Sequence, residues 1–172
     1  MSRYLAAACV ILVSSGAALA QKETIEGIRN FTKVDATVAC AGATEPAAMA
    51  GLAARGFKTV INLREASEAG ALIDESTKAA ETAGLRYIHL PFNSSRPDEA
   101  VATKFLATIR NTSLQPVFIH CASGSRAGAL WLIKRMLVDG WDEQKAVDEA
   151  VMIGMSSPTL KQFALDYVAK HR

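Results

Sequence analysis

Cys121, Arg126 and the small residues between them are the part of this sequence best suited to chemistry. The chain reads Ile119-His120-Cys121-Ala122-Ser123-Gly124-Ser125-Arg126. A cysteine closes an apolar run, a tight loop of small residues follows, and an arginine opens a helical stretch. Backbone N–H groups at a helix N-terminus converge, and the helix dipole adds partial positive charge, so the arrangement suits an anion. Gly124 admits backbone conformations closed to other residues. Arg126 can offer a bidentate fork to an oxyanion. The same field favours the thiolate of Cys121, which is its nucleophilic form. Covalent attack on a bound phosphate needs that pairing of anion site and nucleophile. A cysteine at a strand end is also an ordinary small hydrophobe. Gly124 and Arg126 do nothing to bury a thiol, and they favour the functional reading.

Such a loop must be carried by regular elements, and the flanking sequence supplies them. Pro116 to His120 is an apolar run suited to a central parallel strand. Thr37–Ala39, Lys58–Leu63 and Arg86–Leu90 read as further strands, the last stopped by Pro91. Helices are predicted between them. One starts at Thr44-Glu45-Pro46, with Thr44 as N-cap and Gly56 as terminator. Others span 71–83, 97–111, 125–139, 143–153 and 158–170, the last with Ser157 as N-cap. Strand–helix alternation at this spacing predicts a three-layer α/β fold. Its central sheet, of four to five mostly parallel strands, carries helices on both faces. Sites in such sheets form at the carboxyl ends of strands, where Cys121 lies.

The chain has 172 residues with 19 Lys/Arg against 17 Asp/Glu. That length suits one domain. The near balance argues against a nucleic-acid partner, which calls for a clear basic excess. Residues 1–20 combine an early Arg3, the apolar run Leu5–Val13 and Ala18-Leu19-Ala20. They read as a signal peptide cleaved near Ala20, leaving one domain over 21–172 that is exported to the periplasm or secreted. No later segment is long and apolar enough to span a bilayer, so no stable membrane insertion is expected. Three histidines and three cysteines without ligand spacing predict no metal site, and no cofactor is expected.

The loop HCASGSR resembles the active loop of cysteine-dependent protein phosphatases of the dual-specificity type. A bacterial branch, the beta-lactamase hydrolase-like phosphatase-like domains, is similar over more of the chain. The matching stretches are Asn30-Phe31 with Val34-Asp35, Cys40-Ala41-Gly42 before Thr44-Glu45-Pro46, Gly56 through Arg64, Gly84 through Ile88, and Pro116 through Trp131. The resemblance implies a hydrolase of phosphoesters working through a phosphocysteine intermediate. Its partner would be a phosphorylated substrate or a small oxyanion. Cys121 would be the nucleophile. Arg126 would bind the phosphate, and the amides of Ala122, Ser123, Gly124, Ser125 and Arg126 would line the pocket. His120 would shape the loop and help keep Cys121 ionised.

Three features depart from the phosphatase pattern. Four residues separate Cys121 from Arg126 where five are usual. Ala127 follows the arginine where Ser or Thr is usual, with Ser123 and Ser125 as possible substitutes. The general-acid aspartate is expected after the strand RYIHL, but the first slot there holds Asn93. Asp98 is the nearest acid, and it serves equally well as a first-turn residue complementing the helix dipole. The short spacing also suits a rhodanese-like enzyme carrying a persulfide on Cys121. The missing hydroxyl and acid also suit a non-catalytic oxyanion-binding module. Arg64, near Glu65 and Glu68, reads as a structural or pocket-rim residue. Cys40 reads as a buried small residue, although near Cys121 it would suit a resolving thiol. Trp131 reads as core.

Overall fold

The computed structural model describes residues 20–172. The expected export signal, apart from Ala20, lies outside the described residues. The strands are β1 (Gln21–Ile25), β2 (Ile28–Lys33), β3 (Val38–Ala41), β4 (Thr59–Asn62), β5 (Arg86–His89) and β6 (Val117–His120). The helices are α1 (Met49–Ala54), α2 (Ile73–Thr82), α3 (Glu99–Arg110), α4 (Ser125–Leu137), α5 (Glu143–Ile153) and α6 (Pro158–His171).

All six strands form one sheet in the order β1-β2-β3-β6-β4-β5. β3, β6, β4 and β5 pair in parallel, and β1 and β2 add an antiparallel hairpin at one edge. The three-layer, mostly parallel α/β fold is the one expected, with six strands instead of four to five. The addition is the hairpin over 21–33. Its turn is the pair Glu26-Gly27, with Gly27 at φ 71, joining Ile25 to its partner Ile28.

β6 lies inside the sheet, between β3 and β4, and every one of its residues is buried. Side chains alternate across a strand, so this one element feeds both layers. Val117, Ile119 and Cys121 enter the core shared with α3, α4, α5 and α6. Phe118 enters the smaller core shared with α1 and α2, where it stacks on Phe31 and meets Phe57 edge-on. Phe118→Ala would cost about 3–5 kcal/mol, since the cavity left there lies under two helices.

Several boundaries differ from expectation for local reasons. Thr44 is not a helix cap: it bridges Ile28, and its hydroxyl donates to the Gly42 carbonyl at 3.2 Å. A 3₁₀ turn over Pro46–Ala48 leads into α1 instead, entered from an extended Glu45 with no side-chain cap. α3 starts at Glu99, because the Asp98 carboxylate accepts the Ala100 N–H at 2.8 Å and stops it there. Ser157 caps α6 as predicted, accepting from the Leu160 N–H, with Pro158 at its first position.

Candidate active site

The residues from Cys121 to Arg126 form one continuous turn between β6 and α4, at the carboxyl edge of the sheet. Gly124 stands at the helix cap with φ 101. A Cβ there would lie 2.4 Å from the Ile153 carbonyl oxygen, so only glycine fits. Its N–H donates to Cys121 Sγ at 3.2 Å. A backbone donor therefore already faces the sulfur.

That orientation follows from how the preceding carbonyls are tied. The Ala122 carbonyl accepts the Ala43 N–H at 2.9 Å. The Ser123 carbonyl accepts Asn30 Nδ2 at 3.2 Å. A trans peptide is planar with C=O and N–H opposed, so each outward carbonyl turns the next N–H inward. Among the described residues, the amides of Ala122, Ser123 and Arg126 have no hydrogen-bond acceptor. They are the donors left for an oxyanion. The Ser125 N–H leans on Ser123 Oγ at 3.4 Å, and Ser125 Oγ accepts the Ser156 N–H at 3.1 Å.

Arg126 is buried and held from one side. Glu68 takes it bidentately, Oε1 on Nη1 at 2.5 Å and Oε2 on Nη2 at 2.8 Å. Nη1 also donates to the carbonyls of Leu63 and Phe92, both at 3.1 Å. Nε has no acceptor among the described residues, and Nη2 carries a second hydrogen. The Nε–Nη2 edge therefore remains for a second bidentate partner. Burial weakens the Arg126 cation, but the Glu68 hydrogen bonds and the neighbouring Cys121 sulfur outweigh it and hold its pKa up. Burial likewise pushes Glu68 up, yet hydrogen bonds from Arg126, the Glu65 backbone and Arg64 bring it down to about 2. Glu68 is an anion at any working pH.

His120 lies on the opposite face of β6 from Cys121 and stacks on Phe118 at 5.7 Å between centroids. It is buried, and neither ring nitrogen has a partner among the described residues. Burial, then the Arg64 cation, pulls its pKa down to about 3. His120 is therefore neutral, and any help it gives the Cys121 thiolate does not come from a positive charge on the ring. What it can supply is shape.

Asp98 is exposed, and its Oδ1 accepts the Ala100 N–H as the cap of α3. Arg64 is buried, donating to the carbonyls of Ala69 and Gly70 at 2.6 and 2.7 Å and to Glu68 at 3.3 Å. It shapes the loop that presents Glu68. Cys40 is fully buried on β3 opposite Ile119, and Cys40 and Cys121 are both free thiols. Burial, reinforced by Glu149 and Cys121, pushes the Cys40 thiol well up, so it is a poor nucleophile. Trp131 is core, its indole N–H on Glu149 at 2.7 Å.

Two residues of the site had no signal by spacing. Asn30 adopts a left-handed φ of 55 and reaches both Ser123 and, at 2.6 Å, the Ile153 carbonyl. Glu68 reads from sequence only as a neighbour of Arg64. The resemblance of Asn30-Phe31 to a known family is the one sequence signal for the first.

Residues 30–138 match the family model described as beta-lactamase hydrolase-like protein, phosphatase-like domain. The dual specificity protein phosphatase TpbA of Pseudomonas aeruginosa is 33% identical over 69 residues, 39% of this chain and 32% of TpbA. The sequence match thus spans about a third of that relative's length. Among solved structures, the DUF442 protein from Shewanella putrefaciens CN-32 superposes with a TM-score of 0.72 at 22% identity. The match covers 87% of this chain and 99% of that one. A structure of P. aeruginosa TpbA superposes with a TM-score of 0.67 at 22% identity, over 89% and 90% of the two chains. The core catalytic domain of the PP-IP phosphatase SIW14 from S. cerevisiae gives 0.70 at 20% identity, over 83% and 87%. At these identities the superpositions speak for the fold.

Proposed function

Because the chain belongs to the beta-lactamase hydrolase-like protein, phosphatase-like domain family, we propose that it is a cysteine-dependent hydrolase of phosphate monoesters. Cys121 attacks phosphorus, the ester oxygen leaves, and water then hydrolyses the phosphocysteine. The observation that carries this reading is the convergence of a sulfur, inward amides and an arginine edge. The Gly124 N–H lies on Cys121 Sγ, and Arg126 is gripped by Glu68 so that its Nε–Nη2 edge stays open. Donors fixed before the reaction stabilise the charge that develops on the transferring group at no cost in reorganisation.

A TpbA structure in complex with phosphotyrosine makes aryl phosphates the first substrates to test. The mature protein is incubated with p-nitrophenyl phosphate and a phosphotyrosine peptide. Turnover lost in Cys121→Ser supports the mechanism, and turnover that survives it refutes the mechanism. The composition of residues 1–20 supports export, with cleavage near Ala20 and action outside the cytoplasm. Amino-terminal sequencing of the protein from its native host tests that.

A second reading keeps one specific observation in view. Four residues between Cys121 and Arg126 make a tighter cradle than the phosphatase pattern. A persulfide carrier needs less room than a phosphoryl carrier. Thiosulfate-to-cyanide transfer, with a 32 Da adduct on Cys121 by mass spectrometry as the expected order of mass for one sulfur, would favour it. Oxyanion binding by calorimetry with no turnover of any kind would favour a non-catalytic module.

A further inference from the structure

We propose that Glu65 is the proton donor and acceptor of this site, an inference that rests on the phosphatase reading above. The nucleophile and the cradle are in place, but Asn93 in the first slot after β5 has no acidic proton. Asp98 is exposed and caps α3.

Glu65 lies three residues beyond β4, and β4 is the immediate neighbour of β6 in the sheet. The loop after β4 is therefore one strand nearer to Cys121 than the loop after β5 that carries Asn93. Asn93 reaches back across that gap. Its Nδ2 donates to both Glu65 carboxylate oxygens, at 3.1 and 2.9 Å. Its Oδ1 accepts the N–H groups of Ser95 and Arg96, at 2.9 and 2.8 Å, which fixes the direction of the amide. The residue before it, Phe92, gives its carbonyl to Arg126 Nη1. The Glu65 N–H donates to Glu68 Oε1 at 2.7 Å, the oxygen that also holds Arg126. The Glu65 carboxylate is thus held by Asn93, the neighbour of a residue that bonds Arg126, and the Glu65 backbone is held by the carboxylate that grips the same arginine. Its carboxylate offers about four lone-pair sites, and the Asn93 amide occupies only those on one edge.

In the first step the Cys121 sulfur forms a bond to phosphorus, the bond to the ester oxygen breaks, and that oxygen takes the Glu65 proton. In the second step water attacks phosphorus and gives its proton to the Glu65 carboxylate. The S–P bond breaks and inorganic phosphate leaves. The sum is hydrolysis of the monoester, with Cys121 and Glu65 restored.

The test uses leaving groups of different basicity. Phenyl phosphate needs a proton on departure, whereas p-nitrophenyl phosphate needs it far less. Glu65→Gln is expected to lower kcat on phenyl phosphate by about 100-fold or more, within the usual range for a general acid. The loss on p-nitrophenyl phosphate is expected below about tenfold. In the Glu65→Gln background, Asn93→Asp is expected to restore part of the phenyl phosphate rate by placing an acid one loop over. Equal losses on both substrates would make Glu65 a loop clasp and overturn the proposal. So would the same leaving-group split appearing in Asp98→Asn instead. A wild-type protein inert on both substrates would overturn the phosphatase reading itself. If Glu65→Gln does not fold, Glu65→Asp replaces it. An unchanged ratio between the two substrates in that variant, despite the shorter acid, counts against the proposal.

Discussion

Glu68 holds both terminal nitrogens of Arg126 with both of its oxygens, at 2.5 and 2.8 Å. The geometry leaves the other bidentate edge of the guanidinium turned to whatever occupies the Cys121 loop. Glu68 also accepts from Arg64 and from the Glu65 N–H, so one carboxylate orders two arginines and a loop.

That carboxylate makes stability depend on acidity. Its pKa is about 2 when folded against an ordinary 4.5. A carboxylate lowered on folding adds stability above its unfolded pKa, and that stability is lost as pH falls from about 4.5 towards 2. Part of Glu68 is solvent-exposed, so screening reduces the contribution to on the order of 2 kcal/mol. Glu68→Gln should flatten the acid-unfolding curve in that window and lower kcat/KM by about tenfold or more. Superimposable acid transitions of the two proteins would show that the pair is not a stabilising contact.

Asn30 offers a cleaner separation of structure from catalysis. Its left-handed φ of 55 suits glycine equally well, so Asn30→Gly removes the side chain with little backbone strain. Three side-chain hydrogen bonds are lost: an exposed one from Lys22, and those to the Ser123 and Ile153 carbonyls, worth about 1 kcal/mol each. The Ser123–Gly124 peptide is then free to turn, and the Gly124 N–H leaves the Cys121 sulfur. The expected result is a fall in kcat of about 10- to 100-fold, smaller than for deleting a direct donor. A variant with reduced stability and unchanged kcat would reduce Asn30 to a structural tie.

The parts of the site that were legible in the sequence are those carried by local pattern. Pro116 to His120 is apolar but for the histidine because β6 is buried on both faces, and the small residues after Cys121 announce the turn. Gly56 and Ser157 mark helix ends because caps are one-residue decisions. The hairpin over 21–33 left little trace: β1 is polar and mostly exposed, and Asn30 interrupts the alternation in β2. Thr44 had the right chemistry for a cap, but Ile28 claims it across the fold. Glu68 and Asn30 act on residues 58 to 123 positions away, where no spacing rule reaches.

Gly124 and Gly51 make a matched pair for stability. Gly124→Ala would place its Cβ 2.4 Å from the Ile153 carbonyl and 3.0 Å from Asn30 Nδ2, at a φ of 101. Strain and overpacking together should cost about 3 kcal/mol and abolish turnover. Gly51 lies in α1, and none of the described residues comes within 4 Å of the added carbon. Gly51→Ala should instead gain about 0.5–1 kcal/mol with activity intact. Urea unfolding of both variants checks the pair, and a Gly124→Ala protein of wild-type stability would refute the close packing of loop and α5.

His120 predicts a pH dependence of its own, above the Glu68 window. Its pKa is about 3 folded against an ordinary 6.5. Between those values the unfolded chain binds a proton that the folded chain refuses, so stability falls as pH falls. The slope for one such group is about 1.4 kcal/mol per pH unit. From pH 6.5 to 5 the wild type should therefore lose about 2 kcal/mol on this account, before Glu68 begins to titrate. His120→Asn has no proton to exclude and should lose that much less over the same interval. The neutral ring also means that no activity transition between pH 5 and 8 belongs to His120. Urea unfolding at pH 6.5 and 5 for both proteins decides the first point, and the imidazole carbon shifts of His120 across the same range decide the second. Equal losses in the two proteins, or a His120 signal that titrates near pH 6.5, would mean that the ring reaches solvent and that its stacking on Phe118 does not seal it from protons.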